Sequence, residues 1–181
     1  LEPEISLIVG SNRWQGYETV RYLKLPAGDP NLIISFHYYQ PFLLTHYQAS
    51  WTDLKDYTGA VHYPGKLITD EELQTFSDEE KCRYAHWNQE VYTKAVIENH
   101  FKQVLDVAHS YGLPVYCGEF GCIDKAPEAD KTRWYKDMID LFDQYGIART
   151  NWDYKGGFSF GSKDVAPTSI FKILTQGGKR D

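Results

Sequence analysis

Twice in this chain a long amphipathic helix stops at a glycine and an apolar run begins at once. Glu90 to Tyr111 places Val91, Ala95, Val104, Leu105 and Ala108 close to one helical face, and Gly112 separates it from Leu113-Pro114-Val115-Tyr116-Cys117. Ala129 to Tyr145 repeats the arrangement through Trp134, Met138, Leu141, Phe142 and Tyr145, and Gly146 leads into Ile147 to Asn151. Two earlier runs, Ile5 to Gly10 and Asn31 to His37, read as buried strands of the same kind. Nearly continuous apolar strands joined through helices predict parallel pairing with right-handed crossovers. The expected fold class is therefore α/β, about four parallel βα units forming a single domain over residues 1–181.

The remaining segments are less regular. Gln15 to Leu23 predicts a short helix stopped by Pro26-Ala27-Gly28-Asp29-Pro30, and Pro167 to Thr175 a last helix ahead of a frayed tail, Gly177 to Asp181. Gln40 to Asn88 is polar and aromatic, has little periodicity until its end, and carries Tyr63-Pro64-Gly65 as a turn. So long a connection in a compact domain is expected to be a functional loop or lid.

Composition narrows the function. The net charge of −6 gives no cationic footprint for nucleic acid or anionic lipid, so an uncharged substrate is expected. Aromatic residues make up 15%, which suits stacking on sugar rings, although aromatic cores are the commoner cause of such an excess. No run approaches the ~20 apolar residues of a membrane span, and Leu1-Glu2-Pro3-Glu4 lacks the features of a signal peptide. Cys82, Cys117 and Cys122 are odd in number, are not spaced as a zinc site, and read as free thiols. His46, His62 and Asp53 follow no metal-ligand spacing, so neither a metal nor a cofactor is expected.

Chemistry-bearing residues collect where the apolar runs end. Gly118-Glu119-Phe120-Gly121 follows the third run, His37-Tyr38-Tyr39 closes the second, and Trp152-Asp153-Tyr154 follows the fourth. The carboxyl ends of parallel strands are where α/β barrels place their active sites. These segments, together with Gln40-Pro41-Phe42, Thr45-His46-Tyr47-Gln48-Ala49, Trp51 and Tyr63-Pro64-Gly65, resemble the second half of a glycoside hydrolase family 5 domain, the cellulase-like (β/α)₈ enzymes. The similarity runs from about Ile5 to Thr175.

The resemblance implies half of a TIM barrel, the equivalents of strands 5 to 8. The 181 residues fall short of the roughly 250 of a complete barrel, and completion by a homo-oligomer, a dimer or larger, is expected. It implies that Glu119 is the nucleophile of a retaining β-glycosidase acting on β-linked glucosides or glucans, with His37 and Tyr39 beside it. It further implies that Trp152 stacks on sugar, with Trp51 and His46 as weaker substrate-binding candidates, and it favours a secreted or periplasmic location. Retaining hydrolysis needs two carboxyl groups about 5 to 5.5 Å apart. The family's acid/base glutamate lies in an Asn-Glu-Pro motif after the fourth strand and has no counterpart here, since Glu2 sits directly before the first run with no room for the intervening helix. The alternative reading is a carbohydrate-binding or inactive half-barrel that cannot protonate a leaving group. A designed or proteolytic fragment is a third.

Overall fold

The computed structural model of the protein describes residues 5–159 and 169–176. In chain order the strands are β1 (Leu7–Gly10), β2 (Leu32–Tyr38), β3 (Gly65–Lys66), β4 (Val91–Tyr92), β5 (Val115–Phe120) and β6 (Ala148–Asn151). The helices are α1 (Asn12–Gln15), α2 (Phe42–Thr45), α3 (Asp70–Thr75), α4 (Asp78–Tyr84), α5 (Lys94–Tyr111), α6 (Glu128–Tyr145) and α7 (Ser169–Gln176). Strands β1, β2, β5 and β6 form one parallel sheet in that order, and β3 and β4 pair antiparallel apart from it.

The order follows from how α5 and α6 end. Gly112 and Gly146 adopt the left-handed conformation, φ 67 and 64, and let Leu113 and Ile147 donate back to the carbonyls of Ala108 and Phe142. Each helix thereby turns straight into the next strand. Side chains of β2 and β5 that point toward the helices make the main core: Phe36 and Tyr38 set edges against Phe101 at 5.4 and 5.2 Å, and Phe120 packs on Phe142 at 4.8 Å and Trp134 at 6.3 Å. All six of these rings are fully buried.

Several boundaries differ from expectation for identifiable reasons. The first run is not a buried strand: β1 is outermost in the sheet, and Leu7 and Ile8 are 43% and 59% exposed. Gln15 to Leu23 is not an α-helix: the single turn α1 has left-handed backbone at Arg13, Trp14 and Gln15, and a 3₁₀ helix follows over Tyr17–Tyr22. The Thr19 hydroxyl reaches the carbonyls of Asn12 and Gly16, at 3.0 and 2.8 Å, and holds that turn tight. Helix α5 starts at Lys94 rather than Glu90 because Thr93 caps it, accepting from the Val96 amide, while Val91 and Tyr92 are drawn into pairing with β3. The last helix is seen from Ser169. Pro167, Glu2 and the tail from Gly177 lie outside the described residues.

The segment expected to be an aperiodic loop carries α2, α3, α4 and β3. Thr69 and Ser77 each close a capping box with the glutamate three residues on, Glu72 and Glu80. Leu54, Tyr57, Val61, Leu67, Ile68 and Tyr84 are buried, so the segment packs into the same hydrophobic core as the βα frame. Cys82, Cys117 and Cys122 are free. No helix among the described residues is long and apolar enough to cross a membrane.

Candidate active site

Strand β5 runs on through Phe120, so Glu119 belongs to the strand itself rather than to the loop after it. Its aim is set by a bulge. Phe36 pairs with Cys117 and His37 with Glu119, which leaves Gly118 as an extra residue on β5. The bulge shifts the alternation of side chains, so that Cys117 and Phe120 go to the core while Glu119 comes level with His37. A Cβ at position 118 would lie 3.0 Å from His37 Nε2 and Ser35 Oγ, and one at position 121 would overlap the Trp152 carbonyl. The two glycines therefore allow the neighbouring strands to close on the glutamate from both sides.

The Tyr39 hydroxyl donates to Glu119 Oε2 at 3.0 Å, and His37 Nδ1 lies 3.5 Å from the same oxygen. Burial, with the charge and hydrogen bond of Glu119, raises the Tyr39 pKa far above its ordinary value, so the phenol stays a donor. Burial lowers the His37 pKa, and the opposing pull of Glu119 does not overcome it. At neutral pH the His37 contact is thus one between a neutral ring and a carboxylate, not an ion pair. Glu119 keeps about a third of its side chain exposed. Its Oε1 accepts no hydrogen bond from a described residue.

Two aromatic groups come from the elements on either side of β5. Trp152 follows β6 directly; its amide donates to the Phe120 carbonyl at 2.8 Å, its peptide bond to Asp153 is cis, and its side chain is left 48% exposed. The other group comes from the segment after β2. His46 is buried and stacks on Phe42 at 3.9 Å, with edge contacts to Tyr39, Phe158 and Trp51 at 5.1, 5.3 and 6.3 Å. Trp51 is 65% exposed. Phe42 also stacks on Trp87, and beyond them a cleft of about 230 Å³ is lined by Gln40, His86, Glu90 and Tyr92.

The structure thus brings Glu119, His37 and Tyr39 into one cluster, sets His46 against Tyr39, and gives Trp152 and Trp51 exposed indoles. His46, His62 and Asp53 go to different partners: His62 meets Glu72 at 2.8 Å, and Asp53 lies 3.9 Å from His86. Sequence reasoning missed Phe158 and the hydroxyl of Thr45. Gly156-Gly157 ahead of Phe158 marks a turn that returns an aromatic residue to the rim, and the Asp153 amide donates to the Phe158 carbonyl at 3.1 Å.

A carboxylate that accepts from a phenol near the carboxyl end of a parallel strand defines an α/β protein with its candidate site at that end of the sheet. The chain belongs to the cellulase family, glycosyl hydrolase family 5, whose model matches residues 2–157. It is 29% identical over 150 residues to cellodextrinase A of Ruminococcus flavefaciens, covering 82% of this chain and 37% of that one. It is 27% identical over 165 residues to endoglucanase C of Acetivibrio thermocellus, covering 90% of this chain and 48% of that one. Among solved structures, a hyperthermophilic endo-β-1,4-glucanase in complex with substrate matches with a TM-score of 0.65 at 28% identity, over 91% of this chain and 46% of that one. A Thermotoga maritima endoglucanase shares the fold, with a TM-score of 0.70 at 19% identity, over 93% and 47%. The chain spans less than half the length of each of these relatives.

Proposed function

We propose that this chain is the carboxyl-terminal half of a retaining β-glycosidase barrel acting on β-linked glucan, with Glu119 as its nucleophile. The observation that carries the reading is the double contact on Glu119 Oε2. Tyr39 donates to that oxygen and the neutral His37 ring lies 3.5 Å from it, which orients the carboxylate so that Oε1 is left to attack an anomeric carbon. Trp152 offers a ring face for the sugar at the cleavage point, and Trp51 with His46 offers a second wall for a neighbouring unit. The endoglucanase relatives support glucan as the substrate class.

A retaining mechanism needs a second carboxyl group as acid and base. No described hydrogen bond or ion pair joins Glu119 to one. The sheet ends in β1 and β6, each without a further strand among the described residues, and β1 exposes Leu7 and Ile8. We infer that these edges pair with further βα units, from a second copy or a complementary half, and that the acid comes with them.

Hydrolysis assays decide the reading. Alone, the chain should cleave activated aryl β-cellobiosides, whose leaving group departs without protonation, and be slow on polymeric glucan. Glu119→Gln should lower the aryl glycoside rate on the order of 10⁴-fold with the fold intact. Unchanged cleavage in that variant would reject Glu119 as nucleophile. Sugar binding without any cleavage in the assembled oligomer would favour the alternative, an inactive binding half.

A further inference from the structure

Thr45 is fully buried, and its single hydroxyl touches two residues of the site. Its Oγ1 lies 2.6 Å from the Tyr39 carbonyl and 3.0 Å from His46 Nδ1. A carbonyl can only accept, so the one hydroxyl proton goes to Tyr39. Toward His46 the same oxygen can then act only as an acceptor, and Nδ1 must carry the imidazole proton. A neutral ring has one N–H, which leaves Nε2 as a bare acceptor with no partner among the described residues. Burial lowers the His46 pKa from 6.5 to about 4, so the ring is neutral wherever the protein is folded near neutral pH.

We infer that Thr45 is a positioning residue that fixes His46 in the Nδ1–H tautomer, making Nε2 an acceptor for one hydroxyl of an uncharged sugar beside Glu119. The inference rests on the reading of this site as a glycosidase centre. The Tyr39 proton is already given to Glu119 Oε2, and on the proposed reading Oε1 is kept for attack, so a sugar hydroxyl that donates needs a further acceptor. The same threonine holds the backbone of Tyr39, whose phenol bonds Glu119, and its own carbonyl accepts from the Ile123 amide at 2.9 Å in the loop after β5. One buried hydroxyl therefore ties the nucleophile's donor to the substrate's acceptor.

The test reads the tautomer directly, by nitrogen-15 NMR of the histidine rings with His46→Gln as the assignment control. Cellotriose affinity of the Glu119→Gln protein is measured alongside. In the wild type, and in Thr45→Ser, which restores the hydroxyl, Nδ1 should be protonated and Nε2 bare at pH 6 to 7. Thr45→Val should lose that fixed tautomer and bind cellotriose about tenfold more weakly, the loss expected for one hydrogen bond. A protonated Nε2 in the wild type would overturn the inference even if Thr45→Val failed to fold. So would a Thr45→Val protein matching the wild type in both readouts. An absence of hydrolysis with the tautomer intact would count against the glycosidase reading and leave the assignment of His46 standing.

Discussion

The βα frame and the segment between β2 and α5 are both ordered, but by different means. In the frame, Phe36, Phe101, Phe120, Trp134 and Phe142 fill one contiguous layer between the sheet and α5 and α6. The intervening segment joins the same core and is further braced by individual polar bonds, two of them to α6. The Tyr63 hydroxyl donates to Asp137 at 2.7 Å, Arg133 donates to the Tyr63 carbonyl at 2.6 Å, and the Asn88 amide bonds both backbone groups of Ile68. Function divides along the same line. The frame carries Glu119 and His37, and the segment carries Tyr39 at its start and then the aromatic wall of Phe42, His46 and Trp51. On the proposed reading the strands set the reacting atoms, and an insert tied to α6 through Tyr63 sets what they act upon.

Core truncation in the frame should have the largest effect on stability. Phe101→Ala removes a ring shared by Phe36, Tyr38 and Phe142 and should cost about 3–5 kcal/mol, read as a lower midpoint in urea denaturation. A loss below about 1 kcal/mol would show that the frame does not depend on that layer.

The buried imidazole of the insert gives the next largest effect. Unfolded, His46 takes up a proton near pH 6.5; folded, it does so only near pH 4. As pH falls the unfolded state binds the proton first, so stability present above pH 6.5 is lost progressively toward pH 4, by roughly 3 kcal/mol. Urea titrations at several pH values should show that slope, and His46→Gln should flatten it. An unchanged slope in the variant would place the titrating group elsewhere.

The smallest effect separates the two regions most sharply. Ser77→Ala removes one capping box on the insert and should cost about 1 kcal/mol. The loss should appear as faster amide exchange over α4, while α5 and α6 keep their protection. Uniform loss across all three helices would mean that the insert and the frame unfold as one unit.

The same contrast governs what could be read from the sequence. The frame was legible because buried apolar runs and amphipathic helices repeat, and glycines at 112 and 146 mark where one becomes the other. Glu119, His37, Tyr39 and Trp152 were legible as the residues ending those runs. The insert looked aperiodic because its helices are short and its bonds pair residues far apart in sequence, as Tyr63 does with Asp130 at 2.8 Å. Yet Thr69-Asp70-Glu71-Glu72 and Ser77-Asp78-Glu79-Glu80 are capping-box sequences and could have been read as helix starts. The bulge at Gly118 and the double role of the Thr45 hydroxyl left no pattern of their own, since each depends on a neighbouring strand or ring being in place.

The central claim, that Glu119 is a nucleophile set by the frame, is tested most directly by trapping its covalent intermediate. An aryl 2-deoxy-2-fluoro-β-cellobioside carries its own good leaving group, so the first half of a retaining reaction should run without the acid. Mass spectrometry of the treated protein should show one added fluorinated disaccharide, located by peptide mapping to Glu119 and absent from Glu119→Gln. A label on another carboxylate, or an unlabelled chain that nevertheless hydrolyses the parent aryl cellobioside, would contradict the account.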